Sequence, residues 1–139
     1  ETNIPILSEE GKHADFQERK KWSQLWIVDP LDGTKEFIKR NGEFTVNIAL
    51  VENGVPIMGV IFVPVMNWLY YSSSLGAFKE GNGKIEKLPI KNNRTNKVVV
   101  GSRSHQSPET VEYFNELKKK HGKIEIVSMG SSLKICLVI

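Results

Sequence analysis

The chain has 139 residues, of which 40% are apolar, with a formal net charge of +3 and one cysteine. This is enough for one hydrophobic core, or for one core and part of a second. No run approaches the 18 apolar residues of a membrane span, and no basic run is dense enough to follow a nucleic acid backbone. The lone Cys136 excludes an internal disulfide, fits a reducing cytosol and lies in an apolar segment, which predicts a buried side chain rather than a nucleophile.

Near the N-terminus, carboxylates follow two short apolar segments. Glu9 and Glu10 come after the apolar run 4–7, and Asp29 and Asp32 come at the end of the next apolar run. Between them the chain is charged and turn-rich, with at most one helical turn. Carboxylates at strand ends are the hard oxygen ligands that Mg²⁺ prefers, often together with substrate phosphate. The pattern predicts the site of a metal-dependent phosphatase.

The residues that follow Asp29 suit such a site. Pro30 pushes Asp29 toward extended geometry, so that this carboxylate is expected to leave the strand in a defined direction. Gly33 permits a positive φ or a close approach of phosphate to the main chain, and Thr34 offers a hydroxyl for a water. A helix is expected to begin near Lys35, with its first N–H groups facing an anion. The same Asp-Pro-x-Asp-Gly string is equally good chemistry for a surface turn, so the motif alone leaves both interpretations open.

The middle of the chain predicts an antiparallel meander. Asn53-Gly54 and Asn82-Gly83 are hairpin turn signals, and Pro64 ends a strand because it lacks a backbone N–H. The predicted strands are Phe44–Val51, Val55–Val63, Trp68–Ser73, Ala77–Glu80 and Ile85–Ile90.

The polar, amide-rich segment 91–97 predicts a boundary. We expect residues 1–91 to be the metal-binding, antiparallel-sheet part of a first domain, 92–97 a linker, and 98–139 the start of a second α/β domain. The second part predicts strand, helix, strand and helix in turn. These elements are Val98–Val100, Pro108–His121, Ile124–Val127 and a buried helix capped by Ser131 or Ser132.

Two loops of the second part are candidate anion sites. Residues 101–105 (Gly-Ser-Arg-Ser-His) offer hydroxyls, a guanidinium and an imidazole after a strand, and residues 130–134 (Gly-Ser-Ser-Leu-Lys) offer N–H groups at a helix start and an ammonium group. The alternatives are a polar loop with capping serines and a solvated lysine. The basic cluster Lys35, Lys39 and Arg40 is more simply a solvated face, with Lys35 near the site entrance.

These motifs together resemble a known family. Asp29-Pro30-Leu31-Asp32-Gly33-Thr34 with the upstream Glu9-Glu10 resembles the inositol monophosphatase-like superfamily of magnesium-dependent, lithium-sensitive phosphatases. The continuation 35–50 is similar to its 3'(2'),5'-bisphosphate nucleotidase branch, and the loops 101–105 and 130–134 agree with that branch. The resemblance implies an α+β, layered α/β fold in which an antiparallel sheet domain is followed by the start of a second α/β domain.

The resemblance also implies the site. Two or more Mg²⁺ ions would be held by Glu9, Asp29, the Leu31 carbonyl and Asp32, and the catalytic residues would be Glu9, Asp29, Asp32 and Thr34. The implied substrate is adenosine 3',5'-bisphosphate, cleaved to AMP and phosphate in sulfate assimilation, in the cytoplasm or at the inner membrane surface. The implied substrate-binding residues are Glu9, Leu31, Asp32, Gly33, Thr34, Ser104, His105, Gly130, Ser131 and Lys134.

The chain also departs from the family pattern. It has no Trp-Asp-x-Ala-Ala-Gly-like segment with a further metal-binding aspartate, and no Lys-x-Asp-x-Ser-Pro-Val-Thr-like loop. It is therefore expected to be the middle of a longer enzyme and nearly inactive alone. A haloacid dehalogenase-like phosphatase is disfavoured because Asp29 and Asp32 are three positions apart rather than two. An inositol monophosphatase or fructose bisphosphatase, or an inactive phosphate-binding fragment, remains the alternative.

Inhibition by lithium is a prediction of the family resemblance. A small monovalent cation can occupy one hard-oxygen site without the charge needed to activate water or release phosphate. We expect a lithium titration of the full-length protein at fixed magnesium to reduce phosphate release at about ten to tens of millimolar, on the order expected for a weak cation site. Full activity throughout that range would contradict the family placement.

Overall fold

The computed structural model describes residues 3–12, 14–91, 95–104 and 106–139, which form two β-sheets with short helices. The strands are β1 (Ile6–Ser8), β2 (Gln24–Asp32), β3 (Thr45–Glu52), β4 (Val55–Val63), β5 (Trp68–Ser73), β6 (Gly76–Gly81), β7 (Lys84–Lys87), β8 (Lys97–Ser102) and β9 (Ile124–Met129). The helices are α1 (Phe16–Arg19), α2 (Thr34–Ile38), α3 (Pro108–His121) and α4 (Leu133–Cys136). Across these ranges, none of the helices is long and apolar enough to cross a membrane.

The larger sheet follows the chain in order from β1 to β7. Strands β2 to β7 form the predicted antiparallel meander, and β1 adds a parallel edge beside β2. The two Asn-Gly turns have positive φ at both residues, 50° and 80° at Asn53-Gly54 and 54° and 72° at Asn82-Gly83. That geometry suits the right-handed twist of the flanking strands and favours Asn-Gly. The hairpin predictions are therefore confirmed.

Strand β2 differs from the sequence expectation. Asp29 was expected to leave the strand, but it still pairs with Asn47, and β2 continues to Asp32, which pairs with Thr45. The register shifts between Asp29 and Asp32, where Pro30 has no N–H to donate to a ladder. The motif is thus an irregular strand end rather than a free surface turn, and both carboxylates lie on the sheet itself.

Strand β7 is shorter than predicted. It ends at Lys87 rather than Ile90, because Pro89 lacks the N–H that a further ladder bond would need. The other predicted strands shift by one or two residues at their ends, while β4, β5 and α3 have the predicted bounds.

The second sheet is a βαβ unit in which β8 and β9 are parallel and α3 connects them. Ser107 caps α3 by accepting the Thr110 N–H at 3.3 Å, and Gly122 ends the helix at φ 72°. Phe114 packs on Gly101, where an added Cβ would come within 2.8 Å of its ring. Along the chain, the strands of the larger sheet come before residues 92–94 and those of the smaller sheet come after them. Residues 92–94 are outside the described residues, and the predicted domain division at 92–97 stays a prediction.

The short helix α4 packs its apolar side on the larger sheet. Leu133 and Cys136 are buried with Val63 and Tyr70 in one core cluster. Burial raises the pKa of the Cys136 thiol to about 11, so it is a packed side chain as predicted. This packing places the loop that precedes α4 against the end of β2.

An ion pair also joins the two sheets. Glu43, just before β3, accepts from Arg103 Nε at 2.8 Å and Nη2 at 2.6 Å, and from the Gly130 N–H at 2.9 Å. Arg103 also donates to the Ser128 carbonyl at 2.7 Å. Burial by itself would raise the pKa of Glu43, but the Arg103 and Gly130 hydrogen bonds outweigh it and lower the pKa. The pair ties the start of β3 to the ends of β8 and β9.

The substitution Glu43→Gln tests this tie. It keeps the side-chain volume but removes the charge, and we expect the full-length protein to lose about 1.5–3 kcal/mol of unfolding free energy, the range for hydrogen bonds to charged groups. Urea unfolding measures the loss, and Glu116→Gln on the exposed side of α3 is the matched control. Equal midpoints for the two variants would contradict this role of Glu43.

The same pair predicts a pH dependence of stability. Because the folded-state pKa of Glu43 lies below its ordinary 4.5, the stabilisation is fully present above that pH and is lost as pH falls through the lowered value. The difference in melting temperature between wild type and Glu43→Gln should therefore shrink in that acid window. A difference that stays constant from pH 7 down to pH values well below 4.5 would contradict the assignment.

Candidate active site

The Asp32 carboxylate is held at the end of β2 by three donors. Its Oδ2 accepts from the Ser132 N–H at 2.5 Å, from Asn47 Nδ2 at 3.3 Å and from Thr45 Oγ1 at 3.4 Å. The Ser132 hydroxyl lies 2.8 Å from that of Thr45, which is fully buried, and donates to Asn47 Oδ1 at 2.9 Å. Asp32 therefore has a fixed orientation, set by two residues of β3 and by the N-cap residue of α4.

Glu9 and Asp29 face each other at neighbouring strand ends. The Glu9 N–H continues the pairing of β1 with β2 by donating to the Val28 carbonyl at 3.1 Å. The pKa of the Glu9 carboxyl is raised, chiefly by the negative charge of Asp29, with smaller effects of desolvation and of Glu10 and Asp32. Like charges gathered in this way favour a bound cation.

The oxygen donors fit magnesium but do not enclose it. Within residues 3–12, 14–91, 95–104 and 106–139, no three His, Cys, Asp or Glu side chains gather closely enough to hold a metal ion. Glu9, Asp29, Asp32 and the Leu31 carbonyl are all hard oxygens, and the Leu31 N–H orients Asp29 by donating to its Oδ1 at 3.1 Å. The set suits an open, partly formed magnesium site, and its role in metal binding stays a prediction.

A polar pocket of about 260 Å³ lies where the two sheets meet. It gathers residues from the end of β2, from the loop after β8 and from the loop before α4. Gly33 has φ 93° and would bring a Cβ to 3.1 Å from Ser131 Cβ, so only glycine lets these loops touch without strain. The predicted site residues that line the pocket are Asp32, Gly33, Thr34, Ser104, Gly130, Ser131 and Lys134.

Other predicted residues lie elsewhere. Glu9 and Leu31 do not line this pocket, and Asp29 lines a separate, mainly apolar cavity of about 480 Å³ on the larger sheet. His105 lies outside the described residues. The structure thus brings residues 32–34 together with the loops 101–105 and 130–134. Glu9 and Asp29 lie outside this pocket, and the charges of Asp29 and Asp32 both act on Glu9.

The pocket also contains residues that the sequence interpretation did not assign to the site. Ser102 lines it, as do Lys35, expected only near the entrance, and Glu36. The Glu36 side chain is buried, with 4% of the residue exposed, and its Oε1 accepts from Ser104 Oγ at 2.9 Å. Ser102 belongs to the loop 101–105, whose hydroxyls the sequence already indicated as candidates for anion binding. A glutamate in the first turn of a helix carries no local signal of burial.

The structure decides two alternatives that the sequence leaves open in these loops. Arg103 was considered an anion ligand, but its guanidinium is engaged by Glu43, because the ion pair closes the two sheets. The sequence allows either Ser131 or Ser132 to cap the last helix; the structure has Ser132 at the N-cap position, and Ser131 has a left-handed φ of 49°. The Ser131 Oγ still accepts the Leu133 N–H at 3.2 Å.

Lys134 nonetheless lies beside Ser131 in the pocket. Its ammonium donates to the Ser131 carbonyl, so its charge stays at the pocket wall. Since α4 is a single turn of four residues, the helix dipole contributes little, and the ammonium group is the main positive charge that this loop provides.

This fold agrees with the comparison to known proteins. Residues 2–139 match the model of the inositol monophosphatase family, and the chain belongs to this family. It is 49% identical to the 3'(2'),5'-bisphosphate nucleotidase CysQ of Salmonella typhimurium over 98% of this chain and 53% of that protein. The corresponding CysQ of Escherichia coli K12 is 48% identical over the same shares.

Solved structures give the same placement. The crystal structure of CysQ from Bacteroides thetaiotaomicron matches with a TM-score of 0.90 and 54% identity, over 99% of this chain and 56% of that one. A Thermotoga maritima IMPase matches with a TM-score of 0.71 and 30% identity, over 98% of this chain and 50% of that one. The predicted family and fold are therefore confirmed, and the chain spans about half the length of the relatives it matches.

The substitution Gly130→Ala tests the packing of the pocket. Its Cβ would lie 2.3 Å from Glu36 Cγ and 2.7 Å from Cδ, so the buried side chain must move. We expect a loss of about 1–3 kcal/mol of unfolding free energy, as for overpacked cores. Gly59→Ala is the control, because its nearest atom is Ser72 Oγ at 3.6 Å. Urea unfolding that ranks the two variants equally would contradict the close packing of Gly130 on Glu36.

Proposed function

We propose that the full-length protein is a magnesium-dependent phosphatase that removes the 3'-phosphate of adenosine 3',5'-bisphosphate and leaves AMP. The observation that carries the proposal is the pocket itself, which has Asp32 and Thr34 among its lining residues together with Gly130 and Lys134. Anion-binding groups in the same pocket as a carboxylate and a hydroxyl suit a substrate with two phosphates. The CysQ relatives are named 3'(2'),5'-bisphosphate nucleotidases, which supports the same class of substrate. A role in sulfate assimilation belongs to the same proposal, on the resemblance of the sequence to the nucleotidase branch.

Magnesium, bound by Glu9, Asp29, the Leu31 carbonyl and Asp32, would supply the positive charge that activates water and stabilises the leaving oxygen. The three hydrogen bonds to Asp32 Oδ2 leave Oδ1 for a cation and hold it in place before one binds. The same cation would relieve the repulsion between Glu9 and Asp29. These residues therefore prepare the metal end of the site.

Thr34 is the residue that we assign to the attacking water. It begins α2 directly after Gly33, which turns the chain at φ 93° so that Thr34 follows Asp32 along the wall of the pocket. A hydroxyl can both donate and accept, so it can orient a water toward the phosphorus. Thr34 would act as a positioning and proton-holding group, with the metal charge beside it.

Lys134 and the loop 130–131 are the proposed site of the 5'-phosphate, which is not cleaved. An ammonium group has three donors, and the Ser131 carbonyl accepts one of them, so two can address an anion. Binding the 5'-phosphate there would leave the 3'-phosphate for the metal end of the pocket. His105 belongs to the same proposal, on the resemblance of residues 101–105 to the nucleotidase branch.

The rival activity is that of an inositol monophosphatase, which the similarity to the Thermotoga maritima IMPase supports. Phosphate release from adenosine 3',5'-bisphosphate, inositol 1-phosphate and fructose 1,6-bisphosphate, each with and without magnesium, distinguishes the two. We expect magnesium-dependent release mainly from the nucleotide. A preference for inositol 1-phosphate would support the rival instead. The lone, buried cysteine supports a reducing cytoplasm as the setting.

The substitution Asp32→Asn tests the metal end. It keeps the shape of the side chain and one oxygen that can accept from the three donors, but it removes the charge that a cation needs. We expect kcat of the full-length enzyme to fall by about two or more orders of magnitude, with little change in melting temperature. Glu86→Gln on β7 is an exposed control. A near-normal kcat of Asp32→Asn at saturating magnesium would refute the assignment.

The substitution Lys134→Ala tests the phosphate end. We expect kcat/KM for adenosine 3',5'-bisphosphate to fall by the equivalent of about 1.5–3 kcal/mol, the range for charged hydrogen bonds. Adenosine 3'-monophosphate, which lacks the 5'-phosphate, should be almost unaffected. Lys119→Ala on the exposed face of α3 is the control variant. Equal losses on both substrates would mean that Lys134 supports the fold or the metal end.

A further inference from the structure

The hydrogen bond between buried Glu36 and half-buried Ser104 limits what the pocket can bind. Both residues line the polar pocket, yet Glu36 is only 4% exposed and is packed against Gly130. Its Oε1 accepts the hydrogen bond of Ser104 Oγ at 2.9 Å.

A carboxylate has only lone pairs, so the proton in this hydrogen bond belongs to Ser104. A serine hydroxyl carries a single proton, and once it is donated to Glu36 the oxygen keeps only its two acceptor positions. A phosphate oxygen is also an acceptor. Ser104 in this arrangement is therefore not a ligand for phosphate, although a serine in a polar loop beside an anion site is usually interpreted as one.

Turning the Ser104 hydroxyl toward a phosphate would be unfavourable on two counts. The buried Glu36 oxygen would lose its donor, which costs more than an ordinary hydrogen bond gains because the group is away from water. The phosphate would also approach the negative charge of Glu36, a charge that contributes to the raised pKa of Arg103. The arrangement thus favours a hydrogen-bond donor on the ligand.

We propose that Ser104 is a specificity-determining residue that accepts a hydrogen bond from the nucleoside part of the substrate. Glu36 is the positioning residue, because it accepts the Ser104 O–H and so leaves the Ser104 oxygen as an acceptor. The inference rests on the proposed function. The donor is a ribose hydroxyl or the exocyclic amine of the base. The nucleoside joins the two phosphates, and Ser104 lines the pocket that also includes Asp32 and Lys134.

The test measures kcat/KM of the full-length enzyme for four substrates. These are adenosine 3',5'-bisphosphate, its 2'-deoxy analogue, inosine 3',5'-bisphosphate and adenosine 3'-monophosphate. We expect Ser104→Ala to lose about tenfold on the first, as for one hydrogen bond, and to lose as much on the monophosphate. The loss should disappear on the 2'-deoxy substrate if the donor is the ribose hydroxyl, or on the inosine substrate if it is the amine.

Two further variants test the role of Glu36. The Glu36→Gln amide can donate to Ser104 and release its proton to the pocket, so we expect a smaller preference for the donor-bearing over the donor-lacking substrate. Ser104→Thr retains a hydroxyl and should keep the wild-type preference. Melting temperatures of all variants identify any loss of fold, and Glu36→Gln gives the answer where Ser104→Ala fails to fold.

The outcomes separate the alternatives. A Ser104→Ala loss that disappears only on the monophosphate would show a phosphate contact and overturn the inference. Equal losses on all four substrates, or no loss on any, would also overturn it, as would an unchanged preference in Glu36→Gln. A wild-type enzyme that hydrolyses none of the bisphosphates would overturn the proposed function itself, and the inference with it.

Discussion

The contact between Glu43 and Arg103 is the interaction on which the site depends. One carboxylate, 11% exposed, accepts two hydrogen bonds from the guanidinium at the end of β8 and one from the Gly130 N–H after β9. It therefore fixes both loops of the smaller sheet against the segment that joins α2 to β3. Without that contact, the loops 101–105 and 130–134 would not be held beside residues 32–36, which form the other side of the polar pocket. The packing of α4 on the core provides a second, apolar attachment of the same region.

The order within the pocket follows from this closure. Once the loop 130–134 is held, the Ser132 N–H reaches Asp32, and the carboxylate is fixed in position together with Thr45 and Asn47. Such preorganisation suits catalysis, because the polar groups need not reorganise when charge develops. The Glu9 and Asp29 carboxylates repel each other near this point, and the Leu31 N–H orients Asp29. Under the proposed function, a bound cation would offset that repulsion.

The pocket has polar groups of distinct kinds. Asp32 suits a cation, and Lys134 brings an ammonium group near Ser131. Ser104 offers lone pairs to a ligand because its own O–H donates a hydrogen bond to Glu36. A bisphosphate nucleotide has matching groups, namely a phosphate for the metal, a second phosphate for the ammonium and a nucleoside with its own donors. This match, together with membership of the inositol monophosphatase family, supports a nucleotidase over a general phosphate-binding module.

The sequence by itself determined the elements whose causes are local. The two Asn-Gly hairpins, the strand β4 that ends before Pro64 and the helix from Pro108 to His121 all follow from residues within a few positions of each other. The motif from Asp29 to Thr34 also indicated the family without any structure. These features depend on backbone preferences and capping, which short segments carry with them.

Tertiary structure alone decided which side chains meet. Arg103 binds a carboxylate 60 positions away, Glu36 is buried by a loop that follows β9, and Ser131 is left-handed because that loop must turn onto Gly33. No local pattern distinguishes an arginine that binds phosphate from one that closes two sheets, since either partner satisfies the same guanidinium. The physical reason is that hydrogen-bonding capacity belongs to the residue, whereas its partner is chosen by the packing of distant segments.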